Sequence, residues 1–186
     1  MVLQKFNLLV STSRGNERRT CKEIWYLLNE LGDKNPEVDV TPAIGLIVAY
    51  TSITPVKAIN GIREILENRP WEIRYALRIV PIEKTVQADI IEIKKIALKL
   101  AAKIKSYESY RVTVRKRHSD LRSKDIIEAL ASDISRNVDL EKPSKILLVD
   151  IISSVAGISL IEPDSLLSIE KEKENFTRLR GAPSSQ

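Results

Sequence analysis

The sequence predicts an α/β chain of the α+β kind, built in two parts. Three observations predict it. Up to Val80 the apolar patterns follow the order strand, helix, strand, strand, helix, strand. A second set of strand and helix patterns follows Pro81. Hydrophobic residues make up 43% of the 186, enough to bury a sizeable core.

Each element follows from local chemistry. Phe6 to Ser11 reads as a short buried strand. Asn16 is placed to cap a helix, because its side-chain oxygen can accept an orphan backbone N–H. Cys21, Ile24, Trp25, Leu28 and Leu31 then recur at helical spacing, and Gly32 sits where a left-handed C-terminal cap is needed. Val38 to Val40 and Ile44 to Tyr50 read as two strands about the turn at Thr41-Pro42. Thr54-Pro55 opens the second helix, with its stripe at Val56, Ile59, Ile62 and Leu66, and Asn68-Arg69-Pro70 stops it. From Trp71 to Ile79 apolar residues alternate with Glu72, Arg74, Ala76 and Arg78, the period of a half-buried strand. This β-α-β-β-α-β order is that of a ferredoxin-like unit, a sheet with both helices on one face.

The second part starts with a long helix expected over Thr85 to Lys105, striped by Ile90, Ile93, Ala97, Leu100, Ala101 and Ile104. Tyr110 to Arg115 alternates again, with Val112 and Val114 inward and Arg111, Thr113 and Arg115 outward. A basic loop runs from Lys116 to Arg122, and Ser123 is placed to cap a helix striped by Ile126, Ile127, Leu130, Ala131 and Ile134. Ile146 to Ile152 is nearly all apolar, as in a central strand, and Gly157 to Ile161 reads as its neighbour. Glu170 to Gln186 is charged, then small and polar, and is expected to be a frayed tail.

Composition excludes several classes. One cysteine, Cys21, leaves no disulfide within the chain, which fits a reducing compartment. It falls on an apolar helix face and reads as a small packed hydrophobe. No run of about 18 apolar residues is present, so no membrane span is expected, and a cytoplasmic protein is. His118 is the only histidine. No nucleophile–base pattern, metal-ligand spacing or phosphate-cradling glycine motif occurs, so no catalytic residue, metal or cofactor is expected. Asp150 interrupts the apolar strand and reads as solvent-facing or paired with a nearby cation; a catalytic carboxylate is the remote alternative.

The basic residues carry more information. Net charge is +5, and residues 81–125 hold twelve Lys and Arg against six Asp and Glu. Arg115, Lys116, Arg117, His118 and Arg122 precede the helix at Ser123, with Lys124 in its first turn. A helix start exposes free N–H groups and the positive end of its dipole, so added cations make a phosphate site. A solvated charged loop is the other reading. Arg14, Arg18 and Lys22 form a second candidate on the first helix, with an ordinary solvated face as its alternative. Lys95, Lys99 and Lys103 read as plain surface. No aromatic platform interleaves these cations apart from Tyr107 and Tyr110, so phosphate and shape recognition of folded RNA fits better than base stacking.

Tyr110-RVTVRKRHS, the helix IIEALASDI, the turn VDLEKP and the strand run KILLVDIISSVAGISLI together resemble a THUMP domain, and RIVPIEKT resembles its opening segment. The start, NLLVSTSRGNERRTCKEIWYLLNELGD, is similar to that of the THUMP-domain tRNA acetylation adaptors, which assist the RNA cytidine acetyltransferase making N4-acetylcytidine. The resemblance implies an N-terminal ferredoxin-like domain over residues 1–76, a THUMP domain with a mixed sheet flanked by helices over 77–172, and a flexible tail over 173–186. It also implies a cytoplasmic adaptor, not itself an enzyme, that presents the acceptor stem and 3′ end of tRNA to that acetyltransferase. No small-molecule substrate is implied. Carried over, the RNA contacts fall on Arg78, Lys84, Arg115, Lys116, Arg117, His118 and Arg122, with Arg14, Arg18 and Lys22 from the first domain. A protein–protein scaffold, or an RNA-binding protein serving a different tRNA modification, is the alternative.

Overall fold

A computed structural model describes residues 4–181. The first part runs β1 (Leu8–Thr12), α1 (Glu17–Glu30), β2 (Glu37–Val40), β3 (Leu46–Tyr50), α2 (Pro55–Asn68) and β4 (Ala76–Pro81). The second runs β5 (Lys84–Gln87), α3 (Ile90–Ala101), β6 (Ser109–Arg117), α4 (Ser123–Ala131), β7 (Asn137–Val138), β8 (Lys145–Ile152) and β9 (Val155–Ile161). The chain then returns to the first part through β10 (Leu167–Ser168) and α5 (Ile169–Gly181).

The strands make two five-stranded sheets, ordered β10-β4-β1-β3-β2 and β5-β9-β8-β6-β7. All pairings in the first are antiparallel. Its β4-β1-β3-β2 core, with two crossover helices, is the expected ferredoxin-like order. The second is mixed: β6 runs parallel to β7 and β8, while β9 is antiparallel to both β8 and β5.

Three apolar clusters stack the elements in four layers. Ile24, Leu27 and Leu28 of α1 and Ile59, Ile62 and Leu66 of α2 bury one face of the first sheet with Leu8, Val10, Ile47 and Ile79. Ile93 and Ala97 of α3, with Ile126 and Leu130 of α4, cover Leu147, Val149 and Ile151 of the second sheet. The third cluster lies between the sheets: Leu9, Leu46, Val48 and Val80 meet Ile146, Leu148, Ile152 and Ile161. Strand alternation explains the split, since odd and even positions of β8 face opposite layers. Gly157 permits the close approach of the sheets. A Cβ there would stand 3.0 Å from Ile82 Cγ2 and 3.2 Å from Phe6 Cε2.

The structure corrects several sequence expectations. Trp71 lies in a 3-10 turn at Pro70–Glu72 and is exposed, so β4 starts only at Ala76. The chain passes between sheets at Ile82–Glu83, beyond the boundary expected at residue 76. The helix expected over Thr85 to Lys105 is shorter, because Lys84–Gln87 pairs with β9 and Asp89 caps α3 by accepting from Ile91 and Glu92 N–H. Asn16 and Thr54 stand at helix starts without a side-chain capping bond, and the cap of α4 is Arg122 in place of Ser123. Trp25 is exposed, and Thr20 and Leu27 are buried on α1 instead. Residues 169–181 are helical, although Glu170 to Gln186 was expected to be a frayed tail. Phe176 packs on the first core, Lys173 Nζ donates to Ile73 O at 2.8 Å, and Arg63 pairs with Glu172 at 3.1 Å. The rest of the expected tail, 182–186, lies outside the described residues.

Candidate nucleic-acid interface

The period-two pattern of β6 sets the site. Val112 and Val114 point toward the helix layer. Arg111, Thr113, Arg115 and Arg117 take the opposite face, in register with Ile146, Leu148, Asp150 and Ile152 of β8. That face looks toward the first sheet. β7 pairs only with Ser109 and Tyr110, so most of β6 has an open edge. From the first sheet, β4 supplies Arg78, opposite Ser11 and Ser168 in register.

The result is a cleft of about 320 Å³ along the seam between the sheets. Arg78, Arg111, Arg115 and Lys171 line it with Thr113 and Ser168. Ile146, Leu148, Ile161, Pro163 and Leu166 give it an apolar wall. Arg111 Nη1 donates to Leu140 O at 2.8 Å, which anchors one guanidinium. Asp150 is fully buried behind the cations, with Arg117 Nη1 at 3.8 Å from its Oδ1. Burial pushes the Asp150 carboxyl up, although Arg115, Arg117 and Arg78 pull against that rise. Burial also lowers the Arg78 guanidinium, helped by repulsion from Arg115. Several like charges packed this closely attract a polyanion, and guanidinium forks match phosphate oxygens.

The expected site residues divide. Arg78, Arg115 and Arg117, distant in sequence, come together around Asp150. Lys116, His118, Arg122 and Lys124 are exposed where the chain leaves β6 and enters α4. His118 takes a left-handed backbone, φ 52°, as the chain turns there. Arg122 is drawn to Asp125 at 2.9 Å and Lys124 to Glu128 at 3.7 Å, so part of this charge is neutralised locally. Arg14, Arg18 and Lys22 are exposed around the start of α1. Among the described residues no hydrogen bond or ion pair joins them to the β6 arginines. Lys84 is set apart. It lies on β5, with β9 and β8 between it and β6, roughly 14 Å away at ordinary strand spacing. It borders a separate groove with Lys5, Tyr50 and Glu83. Tyr110 is a core residue, while Tyr107 is exposed with Lys105 Nζ 5.6 Å from its ring centroid. Arg111 and Lys171 line the cleft without having been singled out as contacts. Extending the Arg115–Arg117 alternation backward would have found Arg111, whereas Lys171 falls in the stretch read as tail.

Other features fit the composition. Cys21 is half-buried, and burial raises its thiol. Among the described residues no helix is long and apolar enough to cross a membrane, and no three His, Cys, Asp or Glu side chains group as metal ligands.

A family model of the THUMP domain matches residues 87–161. Among curated proteins none matches the sequence. Several solved structures share the fold. PH1313 from Pyrococcus horikoshii aligns with a TM-score of 0.62 at 20% identity, over 85% of this chain and 55% of that one. TrmN from Thermus thermophilus aligns with 0.56 at 17%, over 82% and 44%. A 4-thiouridine synthetase, solved in an RNA complex with bound ATP, aligns with 0.51 at 17%, over 85% and 42%. The chain thus spans about half the length of each of these three solved chains. These likenesses overturn the expectation that the protein is not an enzyme. The same two-sheet architecture occurs within longer chains, a synthetase among them. From the last residue of β5 to the end of β9, this chain carries a THUMP domain.

Proposed function

We propose that this protein binds tRNA through the cationic cleft between its sheets and positions it for chemical modification. The observation that carries the reading is the convergence of Arg78 from one sheet with Arg111 and Arg115 from the other on one cleft. Lys116, Arg117, His118, Arg122 and Lys124 extend this surface toward the start of α4, and Arg14, Arg18 and Lys22 add a contact from the first unit. The THUMP match and the RNA complex of the structurally similar synthetase support RNA as the polyanion. The modification we infer is N4-acetylcytidine, with the RNA cytidine acetyltransferase receiving the bound acceptor stem and 3′ end in the cytoplasm. Positioning alone is a large share of catalysis on a macromolecule.

Two experiments test this. Arg115→Ala combined with Arg111→Ala is expected to weaken tRNA binding at least tenfold in a fluorescence-anisotropy titration at constant salt. Unchanged affinity in a folded double variant would refute the cleft as the binding site. Deleting the gene and surveying tRNA nucleosides by mass spectrometry tests the modification. Selective loss of acetylcytidine supports the acetylation reading, and an unchanged acetylcytidine level refutes it.

A further inference from the structure

Asp150 is the odd residue of its strand. The rest of β8 from Ile146 to Ile152 buries apolar side chains on both faces. A carboxylate at 0% exposure between two sheets is costly unless it is paired and hydrogen-bonded. Here the pairing is incomplete. Neither Asp150 oxygen accepts a hydrogen bond, and the Arg117 Nη1 contact at 3.8 Å is too long for one. Arg115 lies directly opposite in register, and Arg78 reaches the same field from the other sheet. On the cationic side, Arg78 Nε and Arg117 Nη1 are also buried without a hydrogen-bond partner. One carboxylate against three guanidinium groups leaves the seam net positive with donors unused, so the guanidinium groups stay open to a further, anionic group.

We infer that Asp150 is a positioning residue: a built-in counter-anion that keeps Arg78, Arg115 and Arg117 together in the free protein and competes with RNA phosphate for them. The inference rests on the reading that this cleft binds tRNA. Without an anion, guanidinium groups this close repel one another and the seam opens. With Asp150 in place the cluster is held, but its negative charge also repels an incoming phosphodiester. Affinity is thereby kept below what the cations alone would give, which favours release of the product RNA.

The two effects have opposite signs, so one substitution separates them. Asp150→Asn keeps the shape and removes the charge. It is expected to lower the melting temperature and to bind tRNA about tenfold more tightly at fixed salt. A residue that served only to hold the fold together would lose stability and affinity at once. A folded Asp150→Asn protein with unchanged or weaker tRNA affinity overturns the inference. Should that variant fail to fold, Asp150→Asn/Arg117→Gln is compared with Arg117→Gln alone, since both charges of the closest pair are then gone. The double variant is expected to bind tRNA severalfold more tightly than the single one, and equal or weaker binding overturns the inference. Wild-type protein that does not bind tRNA defeats the cleft reading itself, and this inference with it.

Discussion

Leu148→Ala tests whether the two sheets unfold as one body. Leu148 is 2% exposed in the layer between the sheets, in register with Thr113 on one side and Ser159 on the other. Its neighbours in that cluster come from both parts of the chain, including Leu9, Leu46 and Val80 as well as Ile146 and Ile161. Truncating a buried leucine to alanine costs about 2–5 kcal/mol, the loss of transfer energy plus the cavity left behind. Taking about 3 kcal/mol, and 2–4 °C per kcal/mol for a chain of this size, the melting temperature should fall by roughly 6–12 °C. Urea unfolding followed by far-UV circular dichroism and by tryptophan fluorescence is the assay. Both tryptophans, Trp25 and Trp71, lie in the first part, so fluorescence reports on it while circular dichroism reports on both. A shared core requires the two probes to give one coincident transition that shifts as a whole. Two separated transitions, with the fluorescence midpoint unmoved by a substitution on β8, would refute the idea that the layer between the sheets couples them.

Three more outcomes follow from the geometry. Arg111→Ala should flatten the log–log salt dependence of tRNA binding by roughly 0.7–0.9 for one lost phosphate contact, measured by anisotropy from low to moderate salt. Lys84→Ala, on the far edge strand, should leave the slope nearly unchanged, and a loss equal to that of Arg111→Ala would move the interface out of the cleft. Asp33 sets an acid limit on stability. Burial pushes its carboxyl up, but hydrogen bonds from Thr51 Oγ1, Ser52 N and Asn35 N outweigh this and hold it below its usual value. A depressed carboxyl contributes stability above its unfolded pKa of about 3.9, and that contribution is lost as pH falls through the folded value. Asp33→Asn should therefore unfold more readily at pH 7 but show a shallower loss of stability below about pH 4 in urea titrations; a loss as steep as wild type would refute this.

Much of the fold was legible because strand and helix periods were clean. β1, β3 and β8 read as apolar runs, and the alternation on β6 placed its arginines on one face. The errors have local causes. Thr20 looks like a surface residue, yet its hydroxyl reaches both Thr12 Oγ1 and Asn16 O and is satisfied inside. That shifts the buried stripe of α1 away from Trp25. The alternation from Trp71 onward mimics a strand, but the Glu23 carboxylate takes the N–H groups of Arg74, Tyr75 and Ala76, so pairing begins only there. β5 was absorbed into a helix because Thr85 to Gln87 suits either period, and only pairing with β9 decides it. The candidate site was half legible. The β6 cations could be read from spacing, but their meeting with Arg78 depends on how one sheet packs on another, which no local pattern encodes. Asp150 was read as solvent-facing or cation-paired; the structure selects the second, inside the protein.

The return of the chain through β10 and α5 has a consequence for synthesis. The first sheet contains both early strands and the late pair Leu167–Ser168, which closes the outer side of β4. On the ribosome, β4 emerges well before the segment that covers it. Its free backbone edge faces the cell until the whole second sheet has been translated, so the nascent protein depends on that later segment, or on a chaperone, to shield an open β-edge.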